Sequence, residues 1–471
     1  MKNRILLLLP LVLGTFMAGI DSSIVNVSLP TMSKQFAVGL DDIEWIITAY
    51  MLGFCIFMPL TNWLKERIGF YKLYLISLAV FTLGSLLCAI SGSLASLIAA
   101  RAVQSFGGGA ITPTAMAIIT VVFPKEQRGK AMGWWSLGSI AGPAIGPTLG
   151  GLLTEYFGWP SIFYINLPIG LFTIAIAWRS LKFLELQPKT KEHFDSRGFI
   201  LFTLFIVLFQ YAVAIVSSKG ILSPWFIVPL SGSVIAFVLF IKMSLANPHA
   251  LFNLNIFKHR NYIYCVVITV VRSVALFGGT FLLPFLLQGQ LHYSEMKSGL
   301  MILPNSLVMA FVTPLAGGLS DKYGPRRLVV PGLILVALSM LQFSQINKPA
   351  EIYVILAMVC RGLGLGLLVS TLTSTAMSAV LPDEVTHASS MYSLIQQMGG
   401  SIGIAFSALL QQYVMQYYTT EKNYGSQIAE HYAIQDVFIT SAVLVMLTVL
   451  VAARLPKNAL VKRSEVPLPL R

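Results

Sequence analysis

Fourteen stretches of roughly 20 residues, almost free of charge, limit this chain's fold before any motif is read. A run of that length spans the hydrocarbon of a bilayer as a helix, because inside lipid the backbone must satisfy its own hydrogen bonds. The runs are 5–29, 43–63, 73–91, 94–121, 131–154, 161–179, 198–216, 223–245, 262–288, 298–319, 328–346, 351–379, 389–417 and 434–454. They predict an all-α membrane protein. Only 11% of its residues are charged, against about 25% in soluble domains, which leaves little for a soluble domain. The basic, leucine-rich start at Met1–Leu9 imitates a secretory signal. Its apolar stretch continues to Leu29, so a retained first span is expected.

The charges outside the spans set an orientation. Of 32 Lys and Arg, 24 fall at the termini or in alternate loops (65–72, 124–130, 179–197, 242–260 and 320–327). Five fall on the other side, at Lys34, Lys219, Lys297, Lys348 and Lys422, and three lie inside spans, at Arg101, Arg272 and Arg361. Basic loops stay cytoplasmic, so both termini are expected there. The net charge of +13 follows from this topology and calls for no nucleic-acid partner.

The loop around Asn62-Trp-Leu-Lys-Glu-Arg-Ile-Gly-Phe-Tyr-Lys72 returns 255 residues later as Gly317-Gly-Leu-Ser-Asp-Lys-Tyr-Gly-Pro-Arg-Arg327. Glu66 pairs with Asp321, Arg67 with Lys322 and Gly69 with Gly324, while Arg326 adds a base to the second copy. At an offset of 260, Arg101-Ala-Val-Gln-Ser-Phe-Gly pairs with Arg361-Gly-Leu-Gly-Leu-Gly. The repeats imply two six-helix halves: an N-terminal bundle at 1–180, a linker with two inserted spans at 181–255, and a C-terminal bundle at 256–471. Parallel repeats with a site at their interface are a transporter architecture. The shared acid, base and glycine predict a cytoplasmic latch between the halves, although basic loops also serve topology alone.

Gly138, Gly142, Gly146 and Gly150 recur every four residues and form one bare stripe on a helix, along which another helix can approach closely. Pro143 and Pro147 each remove a backbone donor beside it. The stripe reads either as a tight structural contact or as a moving part. Asp21 is the one acid placed well inside a span, which makes it a functional candidate. Asp42, Glu44, Glu155 and Asp436 fall at span ends. Asp21, two-thirds along an outward helix, and Arg101, a quarter along an inward one, are expected at the same depth.

These motifs resemble the major facilitator superfamily, and within it the fourteen-helix drug:proton antiporters. The resemblance rests on the repeated loop, on Arg101-Ala-Val-Gln104 with Gly107-Gly-Gly-Ala110, on Gly138–Gly151, and on two longer segments. These are Asp21-Ser-Ser-Ile-Val-Asn-Val-Ser-Leu-Pro30 and Trp159-Pro-Ser-Ile-Phe-Tyr-Ile-Asn-Leu-Pro-Ile-Gly170. Asn62, Glu66 and Tyr71 depart from the loop pattern, and the second copy is closer to it. The resemblance implies the major facilitator fold, two six-helix bundles plus two central helices, in a bacterial cytoplasmic (inner) membrane. It also implies multidrug-type export of amphipathic small molecules by a monomer.

Within that frame Asp21 is expected to bind and release the coupling proton beside Arg101, with Gln104 and Asn26 extending the polar network. A permanent Asp21–Arg101 ion pair is the structural alternative. Arg272, Gln396 and Gln397 are the expected cargo contacts, with Gln288, Gln290 and Asn305 as further polar positions. Three intramembrane bases against one acid fit neutral or anionic amphipaths better than dications. The segment His249–Arg260 reads as interfacial, and 418–433 as a cap on the outer mouth. Cys55, Cys88, Cys265 and Cys360 lie far apart in apolar segments and form no metal or disulfide pattern. No phosphate loop or catalytic triad is found. The expectation is therefore no enzyme and no cofactor, with the proton gradient as drive. The alternatives are a dedicated exporter of a metabolite, siderophore or lipid, an uncoupled facilitator, and a non-transporting sensor or scaffold.

Overall fold

The computed structural model describes residues 2–123, 125–186, 194–220, 222–247, 254–346, 351–381 and 384–457. Fourteen helices of 15 residues or more are found among them: α1 Lys2–Phe36, α2 Trp45–Ile68, α3 Phe70–Ala89, α4 Leu94–Val122, α5 Lys125–Phe157, α6 Asn166–Ser180, α7 Ser196–Lys219, α8 Pro224–Ala246, α9 Arg260–Pro284, α10 Glu295–Tyr323, α11 Arg326–Ser344, α12 Glu351–Ser378, α13 Val385–Thr420 and α14 Ser426–Ala452. Thirteen of the fourteen, α6 together with the short turn Ser161–Tyr164, are long and apolar enough to cross a membrane. The remaining one, α5, carries the glycines and prolines and stays helical through Pro143 and Pro147. Several helices overrun the apolar runs. α1 continues past Pro30 to Phe36, and α14 begins eight residues before the expected 434.

Local chemistry starts these helices where the sequence allows. Ser93 caps α4 in a reciprocal capping box with Ser96, which satisfies donors that a helix start leaves open. Ser294 accepts from the Lys297 amide at the start of α10. Gly69 ends α2 at φ +83° and Gly324 ends α10 at φ +84°. The two copies of the repeated loop thus turn through the same left-handed conformation, which only glycine adopts without strain.

Helices α1–α6 pack chiefly on one another, as do α9–α14, while α7 and α8 pair with each other and α7 leans on α13. The two large groups meet through α5 with α10, α2 with α13, and α1 with α9. The end of the molecule where α1 begins and α14 finishes is its near end, and the opposite end is its far end. Among the described residues, side-chain hydrogen bonds between the two groups lie toward the far end. Thr31 donates to the Glu295 carboxylate at 2.8 Å, the Met296 amide donates to Glu155 at 2.8 Å, and Gln288 donates to the Val27 carbonyl at 2.7 Å. Thr148 donates to the Gly299 carbonyl at 3.2 Å. A Cβ on Gly299 would lie 3.0 Å from Thr148 Cα, and one on Gly151 would lie 2.8 Å from the Glu295 carbonyl carbon. The far end of this conformer is therefore closed by backbone-to-backbone contact of α5 and α10.

Candidate functional site: a buried carboxylate network

Asp21 sits on α1 with no exposure to solvent, and four other helices converge on it. Arg101 of α4 donates from Nη1 to Asp21 Oδ2 at 2.6 Å. Gln104, one turn further along α4, donates from Nε2 to Oδ1 at 2.8 Å. Asn166 at the start of α6 donates to the same oxygen at 3.0 Å. Ser85 of α3 accepts from both amides, at 2.7 Å from Gln104 and 3.3 Å from Asn166. Arg101 is held in turn by its bond to Gln104 Oε1 and by Nε donating to the Ile46 carbonyl of α2 at 3.3 Å. Its guanidinium lies 4.2 Å from the Tyr50 ring centre and 5.7 Å from that of Phe163, an arrangement in which ring faces stabilise the cation.

Every one of these donors favours the ionised carboxylate. A buried charge is tolerated when paired and hydrogen-bonded, and Asp21 has a cation and two amide donors. Protonating it would cost the Arg101 contact its charge assistance. The site therefore holds a carboxylate firmly in this conformer.

The structure brings together Asp21, Arg101 and Gln104, as expected, and leaves Asn26 out. Asn26 donates to the carbonyls of Ser22 and Ser23 on its own helix. Five residues on from Asp21, it points about 140° away around the helix. Asn166 and Ser85 were missed, although Asn166 lies within the Trp159–Gly170 segment.

The glycine stripe faces α1, the helix that carries Asp21. A Cβ on Gly138 would come 2.9 Å from the Val12 carbonyl oxygen, on Gly142 2.6 Å from that of Phe16, and on Gly150 2.5 Å from that of Ile24. On Gly146 it would strike the Ser23 hydroxyl. Pro143 contacts Gly19 of α1, and Pro147 contacts Gly299 of α10. α5 thus clasps α1 along its glycines and touches α10 with its neighbouring face.

Of the latch residues, Gly69 and Gly324 are the left-handed turns that end α2 and α10. Arg67 rests 5.3 Å from the Trp63 ring centre and Lys322 5.1 Å from that of Tyr323. The Arg326 amide meets the Pro456 carbonyl at 3.4 Å. The side chains of Glu66 and Asp321 lie outside the described residues, as do residues 249–253 of the expected interfacial segment.

Arg272 and Arg361 are both buried in the second helix group, at 1% and 2% exposure. Gln396 and Gln397 are half-buried on α13. Gln288 and Gln290 line a far-end cavity of about 600 Å³ with Lys34, Asp41, His292 and Glu430. Glu430 and Gln427 of the expected cap line it too. Glu44, expected at a span end, is buried at 2% exposure within the candidate span Leu40–Thr61, and its Oε2 has no partner among the described residues. Among the described residues, Asp21 is therefore one of two acids buried inside candidate spans. The tightly packed start of α2 removes Glu44 from solvent, which its position in the sequence alone does not reveal.

The family model of the Major Facilitator Superfamily matches residues 11–404. A multidrug resistance protein B homolog of Mycobacterium tuberculosis is 32% identical over 407 residues, covering 85% of this chain and 75% of that protein. Riboflavin transporter RibZ of Clostridioides difficile is 30% identical over 410 residues, covering 86% and 88%. The fold is shared with a solved inward-facing bacterial homolog of the human lysosomal transporter Spinster, at TM-score 0.66 and 15% identity, covering 96% of this chain and 97% of that one. With this match across most of its length and its helical architecture, the chain belongs to the Major Facilitator Superfamily and is an integral membrane transporter, not an enzyme.

Proposed function

We propose that the chain is a proton-coupled exporter of amphipathic small molecules, with Asp21 carrying the coupling proton. The observation that supports this most is the Asp21 site itself: a buried carboxylate on a spanning helix, matched by one arginine and two amides from α4 and α6. Its multidrug resistance relatives favour export and a broad cargo range. The near end is cytoplasmic by the bias of its basic loops, in a bacterial inner membrane, with the chain working as a monomer. This conformer is then closed on its outer side.

Alternating access links the interface to the proton site through α1. Its far half is tied to the second helix group by Thr31 and by the Val27 carbonyl. Val27 lies six residues beyond Asp21, roughly 9 Å of helix rise. When the far end opens, these bonds break and α1 shifts with α5 against α4 and α6. The three donors then loosen from Asp21, which takes a proton from outside. Return to this conformer restores Arg101 to the carboxylate and drives the proton off on the cytoplasmic side. In this reading Arg272, Gln396 and Gln397 contact the cargo.

RibZ, a riboflavin transporter by name, favours a second reading in which the cargo is one dedicated metabolite. Efflux from vesicles separates coupled from uncoupled transport. Asp21→Asn should abolish accumulation against a gradient and keep downhill exchange. An unaltered uphill flux would sink the coupling role.

A further inference from the structure

We propose that the second helix group holds an anion-binding site, built on Arg272 and Arg361, that takes the carboxylate of an acidic amphipathic cargo. The proposal rests on the transporter reading and is independent of proton coupling. In the first group the buried cation is matched: Arg101 has Asp21. At the repeat-equivalent position Arg361 has no acid among the described residues. Its Nη2 donates to the Leu276 carbonyl at 2.8 Å and to Thr280 Oγ1 at 2.6 Å, both on α9, and its Nε has no partner. Arg272, one turn before Leu276 on the same face of α9, makes no hydrogen bond to any described residue, and its Nε is sealed from solvent.

Two guanidinium groups therefore flank one stripe of α9, Thr269–Arg272–Leu276–Thr280, without a countercharge among the described residues. An unpaired cation inside a membrane protein is costly and marks a ligand path. The fork of guanidinium donors matches a carboxylate in geometry. An approach is also present. Tyr392 of α13, the polar neighbour of Arg272, shares a 2.6 Å hydrogen bond with Thr269 and meets Thr373 of α12, which is exposed. Gln396 stands one turn beyond Tyr392, half-buried and without a hydrogen bond to any described residue. This polar chain from Thr373 to Arg272 would guide an acidic head group.

The test is equilibrium binding to the purified full-length protein, without a pH gradient, of 4-phenylbutyrate and its uncharged isostere 4-phenylbutanamide. The wild type should bind the acid about tenfold tighter or more, the size expected for charge-assisted hydrogen bonds. Arg272→Gln and Arg361→Gln should each erase most of that preference, and Arg272→Lys, which keeps the charge and guards against a folding defect, should retain part of it. Equal binding of acid and amide by the wild type would overturn the proposal. So would a preference that survives in both glutamine variants. Neither result would touch the assignment of Asp21, which is read from proton movement.

Discussion

Arg101 Nη1 lies 2.6 Å from Asp21 Oδ2, and the two side chains are 1% and 0% exposed. They form a buried ion pair between α4 and α1. Breaking such a pair on one side leaves a desolvated charge behind, which typically costs about 3–5 kcal/mol, while removing both partners costs much less. Arg101→Ala should therefore unfold well below the wild type in detergent. Asp21→Asn should be milder, because the new side-chain oxygen can still accept from Gln104 and Asn166. Asp21→Asn with Arg101→Gln should recover most of the loss. Thermal unfolding of the four proteins checks this, and an Arg101→Ala protein as stable as Asp21→Asn would contradict it.

The α1–α5 clasp ranks the glycines. A Cβ on Gly142 meets the Phe16 carbonyl oxygen at 2.6 Å and the Ile20 amide nitrogen at 2.9 Å, and backbone cannot step aside. Gly142→Ala should cost about 1–3 kcal/mol through overpacking. Gly146→Ala should cost less, since the atom most in its way is the rotatable Ser23 hydroxyl. Gly92, with open space around it, is the control. Melting temperatures should fall in the order Gly92→Ala, Gly146→Ala, Gly142→Ala, with the last lowest. Gly146→Leu, which cannot fit between the helices, should insert in the membrane yet transport poorly.

The paired turns make a matched prediction. Gly69→Ala and Gly324→Ala each place a side chain at φ above +80° with extended ψ, a strain of about 1–3 kcal/mol for a residue with a Cβ. Equal destabilisation at both would mark them as equivalent positions of one repeat. A neutral effect at either would break the equivalence.

The far-end closure is testable by a reversible bridge. Thr31 and Glu295 are in side-chain contact across the two helix groups. In a background freed of the four native cysteines, Thr31→Cys with Glu295→Cys should be joined by a short bifunctional crosslinker. Transport should stop when the bridge forms and return when it is cleaved. Normal flux in the bridged protein would show that this end need not open.

The transmembrane design was legible because charge is rare in this chain. Asp21 and Arg101 stand out in apolar runs, and helix direction alone places them at one depth. Asn166 and Ser85 do not stand out, since uncharged polar residues are common in spans and their partners are set by tertiary packing. Asn26 is close to Asp21 in sequence, but five residues turn it to another face, where it bonds its own helix. The glycine stripe was visible from its four-residue spacing, but spacing cannot say which helix it meets. Only the packed structure identifies α1, and so ties the stripe to the helix that carries Asp21. Glu44 shows the converse, a residue placed at a span end that packing has buried.

The most direct test of the central claim is proton release by the purified protein in weakly buffered detergent, followed with a pH dye as cargo is added. A panel of cationic, neutral and acidic amphipaths serves as cargo. The account predicts that binding cargo expels a proton from Asp21, and that Asp21→Asn binds the same cargo without release. Release of equal size from Asp21→Asn would place the coupling proton elsewhere and contradict the account.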